Sequence, residues 1–159
     1  MIGSSPMWQG RSRGPARRIS LARATPALAL LVASTAAAAA GPEGVWATPN
    51  DQARVRIQSC AEGLCGDIVW LRDPFDEQGR PKRDRHNEDE AQRERPILGL
   101  PMLRGFRAAG PERWGNGRIY NPEDGRTYRA ELHLGAADLL SVSGCVLIFC
   151  KAQDWRRVD

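Results

Sequence analysis

Thr127-Tyr-Arg-Ala-Glu-Leu-His-Leu134 decides the fold. Successive side chains on an extended strand point to opposite faces. Tyr128, Ala130, Leu132 and Leu134 therefore share one face, and Thr127, Arg129, Glu131 and His133 share the other, so one side is made for a core and one for water. Immediately upstream, Pro122-Glu-Asp-Gly125 reads as a hairpin turn in which glycine takes the positive-φ position, and Arg118 to Asn121 supplies the partner strand. Similar signals recur along the chain. Arg54 to Gln58 alternates, Gly66 to Leu71 is β-branched and aromatic, and Leu139 to Ser143 and Ala152 to Val158 add two more strands. Pro96 to Phe106, interrupted by Gly99 and Pro101, reads as one bent strand. With 16 Gly and 11 Pro to punctuate them, these elements exclude a helical bundle. Seven or eight short antiparallel strands in about 115 residues predict an all-β domain, either a sandwich or a small closed barrel.

The charge is unevenly spread. Five of the 23 Lys and Arg lie in the first 23 residues, where there is no acid, so the remaining 18 face all 19 Asp and Glu. The basic pI belongs to that leading segment and gives no reason to expect a nucleic-acid partner. The basic stretch Arg11 to Arg23 runs into the Ala-rich apolar stretch Thr25 to Ala40, which is the pattern of a secretory signal peptide cleaved near Ala38 to Ala40. The apolar run contains Pro26 and is too short and too weakly hydrophobic for a membrane span. Arg17-Arg18 also fits a twin-arginine export signal, although ordinary basic leaders carry such pairs. Residues 1–40 are thus expected to be the signal, 41–159 a single exported domain, and the location periplasmic or secreted.

Cysteine usage agrees with export. Cys60-Ala-Glu-Gly-Leu-Cys65 and Cys145-Val-Leu-Ile-Phe-Cys150 hold all four cysteines. Two equally spaced pairs in an exported domain predict two disulfides with three possible connectivities. A Glu62-Gly63 turn brings Cys60 opposite Cys65, which favours Cys60–Cys65 and Cys145–Cys150. A four-thiolate zinc site is the alternative; its cysteines usually have two to four residues between them, which puts these gaps at the upper limit, and an oxidising compartment disfavours free thiolates.

Arg72 to Arg95 is a long connection of mixed charge. Such a length is either functional or a solvated surface loop, and the balanced charge favours the latter. Asn87 and Glu90 have capping-box spacing for a short helical turn. The acidic residues lack calcium-loop spacing, and His86 beside Asp84 and Asn87 reads as an exposed polar residue. No metal or cofactor is expected.

The chain also resembles a known family. Gly44-Val-Trp46, the hairpin Cys60 to Leu71, Asp73-Pro-Phe-Asp-Glu-Gln-Gly79, Arg95-Pro-Ile-Leu-Gly-Leu100, Gly117-Arg-Ile-Tyr-Asn-Pro122 and Trp155-Arg-Arg-Val158 occur in the order found in a family of small secreted bacterial proteins classed as a domain of unknown function. The resemblance covers Pro42 to Val158 and implies a lipocalin-like, up-and-down barrel of eight strands with a cavity and no assigned catalytic residue. It further implies a barrel-closing signature in which Trp46, after Gly44, packs near Arg157 or Arg156 of the last strand. A guanidinium over an indole face is favourable in its own right.

Aromatic residues could line such a cavity. Trp46, Trp70, Trp114, Tyr120, Tyr128, Phe106 and Phe149 are the candidates, with Trp70, Phe106 and Tyr128 singled out as ligand-binding. In a barrel this small they could equally form a solid core. The chain has no nucleophile-elbow, paired-histidine or phosphate-loop motif, so catalysis is not expected. A carrier of a small apolar ligand is the first expectation. A protein-interaction or envelope-stress module working through residues 72–95 is the second.

Overall fold

Eight strands form, most of them longer than the alternation alone marks out: β1 (Gly44–Ala47), β2 (Ala53–Cys60), β3 (Gly63–Leu71), β4 (Pro101–Gly110), β5 (Arg113–Asn121), β6 (Arg126–Leu134), β7 (Leu139–Val146) and β8 (Phe149–Arg157). The computed structural model describes residues 41–136 and 138–159, so the signal-peptide reading of residues 1–40 lies outside the described residues. Each strand pairs antiparallel with the next, and β8 returns to β1, which closes an up-and-down barrel. Closure removes the free edges that an open sheet of this size would leave.

One strand differs from its sequence reading. Residues 96–100 stand outside β4, because Gly99 adopts φ +85° and turns the chain while Pro101 begins the strand without an N–H. The segment docks on β3 instead, with Ile68 N–H donating to the Leu100 carbonyl at 3.0 Å and Gly99 N–H donating to that of Ile68 at 2.7 Å.

The lower end of the barrel, with the turns after β2, β4 and β6, is packed. Trp46, Ile57, Leu64, Leu103, Phe106, Leu132, Leu140 and Trp155 fill it, all almost fully buried. Burying an indole withdraws about 200 Å² from water, on the order of 5 kcal/mol of transfer free energy. Phe106 lies across Gly117, where any side chain would strike its ring.

Arg157 closes this end. Its guanidinium sits 4.3 Å from the Trp46 ring centroid and donates at 2.6 Å to the carbonyls of Glu43 and Gly41. The Trp46 indole N–H donates to the Pro42 carbonyl at 2.8 Å. Gly44 combines φ +137° with a position where a Cβ would meet Arg157 and Asp159, so the first strand must begin with glycine. β1 is short and meets β8 through only two pairs, Trp46–Arg157 and Ala47–Arg156.

Both disulfides bridge the two arms of single hairpins: Cys60–Cys65 at the lower end between β2 and β3, Cys145–Cys150 at the upper end between β7 and β8. Two such bonds point to an oxidising, extracytoplasmic location. Among the described residues no helix is long and apolar enough to cross a membrane.

Candidate functional site

The upper half of the barrel is hollow. A cavity of about 890 Å³ opens between the strands and the upper connections. That volume lies within the usual range for small-molecule sites. Its inner wall is largely apolar, formed by Ile68, Leu71, Met102, Ile119 and Val142 together with Tyr128. Lys151 and Gln153 also face inward, because β8 continues the parity that puts Trp155 in the core and pairs them with Gly144 and Val142. The mouth is charged, with Asp73, Asp76, Lys82, Arg83, Arg85, His86, Glu123 and Asp124 around it.

Of the three aromatics singled out as ligand-binding, the structure brings only Tyr128 to the cavity. Its hydroxyl donates to Asp124 Oδ2 at 2.5 Å. That bond is the main cause that raises the Tyr128 pKa, with burial and the carboxylate's charge acting in the same direction. Burial would raise the Asp124 pKa as well, but hydrogen bonds from Tyr128 and from the Arg126 N–H outweigh it and hold the carboxyl below its ordinary value. Trp70 is on the outer wall. A bulge opposite Arg54 and Val55 gives Val69 an extra place, so Ile68 and Leu71 both face inward while Trp70 faces out beneath the Arg54 guanidinium, 4.5 Å from its ring centroid. Strict alternation cannot foresee this bulge. Phe106 belongs to the packed lower core, seated on Gly117, and is not part of the cavity wall.

Other aromatics divide likewise. Trp46 is in the floor, Trp114 is packed against the core, and Phe149 is exposed at the β7–β8 tip. Tyr120 points outward and does something the sequence gives no sign of. Asp84, in the middle of the long connection, is fully buried. It accepts from the Tyr120 hydroxyl at 2.5 Å, from Asn87 Nδ2 at 2.8 Å and from Arg95 Nε at 2.9 Å. Arg95 also lies 5.3 Å from the Tyr120 ring centroid. This network fastens residues 72–100 to β5, so the connection is an ordered strap across the mouth and not merely a solvated loop. The expected capping box is absent: the short 3-10 turn Glu90–Gln92 is capped by Asp89, whose carboxylate accepts from the Ala91 N–H at 3.0 Å, while Asn87 is engaged with Asp84 and Tyr120. His86 is exposed on the mouth.

A closed eight-stranded barrel, packed at one end and hollow at the other, with an Arg over a Trp where first and last strands meet, defines a lipocalin-like protein. The family model described as an uncharacterised protein conserved in bacteria, DUF2147, matches residues 44–157, and the chain belongs to that family. A solved Helicobacter pylori structure, described as protein HP1028 belonging to the lipocalin family, shares the fold at a TM-score of 0.65 and 18% identity, over 74% of this chain and 82% of that one. No individually curated protein matches the chain.

Proposed function

We propose that the protein is a periplasmic or secreted carrier of a small molecule with an apolar body and a polar end, and that it is not an enzyme. The observation that carries this reading is the 890 Å³ cavity with an apolar wall below a charged mouth. An apolar body buried there gains about 25 cal/mol per Å² removed from water. Its polar end remains at the mouth, among groups that can hydrogen-bond it. The interaction-module reading through residues 72–95 has less support, since part of the segment's charge is already engaged within it, as in Arg80–Asp76 at 3.0 Å, Arg93–Glu90 at 3.1 Å and Arg83–Glu94 at 3.5 Å.

The test uses the disulfide-intact protein, stripped of bound lipid and titrated with N-phenyl-1-naphthylamine, whose emission rises in apolar surroundings. One probe per barrel is expected, with binding weakened at least tenfold in Ile119→Trp, which fills the wall. A folded Ile119→Trp protein that binds the probe as well as the parent, or a parent that does not bind it, would sink the carrier reading.

A further inference from the structure

We infer that the β7–β8 tip is a docking surface for an anionic phospholipid bilayer. Val146, Leu147, Ile148 and Phe149 are 55, 92, 87 and 76% exposed, four consecutive bulky apolar side chains at the upper end of the barrel. The Cys145–Cys150 bond ties the base of the tip, and Val146 also lines the cavity mouth. The patch is on the order of 500 Å², enough to mark an interaction site. It is well short of the roughly 800 Å² per partner of a standard protein interface. It is also a narrow, convex point. A soft apolar layer fits such a shape better than a second folded surface does. Two residues of strand beyond Cys145 reach about 7 Å, which matches the depth at which interfacial segments enter a bilayer.

Charge chooses the kind of bilayer. One ladder row runs Arg104–Arg118–Arg129–Cys145 across β4, β5, β6 and β7, so three exposed arginines lead to the base of the tip. Like charges directly opposite each other on neighbouring strands are unfavourable for the fold. Among the described residues none of the three has an ion-pair or side-chain hydrogen-bond partner, whereas nearby Arg126 pairs with Glu88 at 3.6 Å. Lipid phosphates would neutralise that row while the tip enters the acyl boundary. The inference is independent of what the cavity carries.

Flotation of the disulfide-intact protein with vesicles of dioleoylphosphatidylglycerol and dioleoylphosphatidylethanolamine, and separately with dioleoylphosphatidylcholine vesicles, tests it. Binding is expected to the first and not the second. Leu147→Ser/Ile148→Ser and Arg104→Gln/Arg118→Gln should each weaken it at least tenfold without lowering the thermal midpoint, because all four side chains are exposed and the arginine variant relieves the like-charge repulsion within the row. In Leu147→Trp the emission should shift to the blue on anionic vesicles only. No binding by the parent, or equal binding by the tip variant, overturns the inference. Binding untouched by the arginine variant overturns the role of the row. A concentration-dependent dimer in sedimentation, dispersed by the tip variant, would instead show that a second copy covers the tip, and also overturns it.

Discussion

Tyr120 and Asp84 lie 36 residues apart in sequence, yet share a hydrogen bond of 2.5 Å. Burial first, and then the bond and charge of Asp84, push the Tyr120 phenol up to about 12. The folded state therefore holds this proton more tightly than the unfolded chain, whose tyrosines titrate near 10. The stabilisation is complete below pH 10 and is lost as pH rises through 12. The unfolding midpoint should thus fall more steeply between pH 10 and pH 12 in the parent than in Tyr120→Phe. Absorbance at 295 nm checks the assignment, since the chain has only two tyrosines. Removing Tyr120 should remove the later phase and leave that of Tyr128. The sequence could not announce this pair. Asp84 looks like any acid in a run of mixed charge, and only the fold shows that it is buried. Trp70 teaches the complementary lesson: its β propensity was readable, but one bulge residue decided which way it faces.

Among the elements, β6 was the most legible, because a half-buried strand writes its two faces into alternate residues. The Pro122–Gly125 turn was legible for a different reason, its demand for positive φ, and Gly125 adopts +73°. What the sequence left out is the second duty of that glycine. The strap passes so close that a Cβ on Gly125 would run into the His86 carbonyl. Gly125→Ala therefore combines backbone strain with a clash against backbone and should cost on the order of 1–3 kcal/mol. Amide exchange is the better readout: protection should fall first in residues 84–97 while the β6–β7 ladder keeps its protection. A uniform loss over the barrel, or none at all, would contradict the proposed strap contact. The strap itself was hard to read because its anchors are long-range pairs between polar residues, which leave no periodicity behind.

For the whole molecule, the all-β strand pattern and the two cysteine pairings were legible in the residues, closure into a barrel and not a sandwich was implied by the family resemblance, and the hollow upper half was not legible. Apolar strand faces establish that an interior exists. How much of it stays empty depends on which large residues, such as Phe106 and Trp155, stack at one end. The two disulfides each close a separation of only five residues. By the chain-entropy estimate each contributes about 2 kcal/mol, less than a bond spanning a long loop. Cys60→Ser/Cys65→Ser and Cys145→Ser/Cys150→Ser should thus each lower the unfolding free energy in urea by about that much and remain folded barrels. A variant that fails to fold would mean that the bond does more than tether its hairpin. Locality has a further consequence for how this molecule is made. Cys60 lies only five residues from Cys65 and can meet it during synthesis, long before Trp46 can find Arg157 near the far end of the chain, and Cys145 likewise needs only the local hairpin to meet Cys150. Oxidation can therefore run ahead of assembly, and the correct bonds need no finished scaffold to select them.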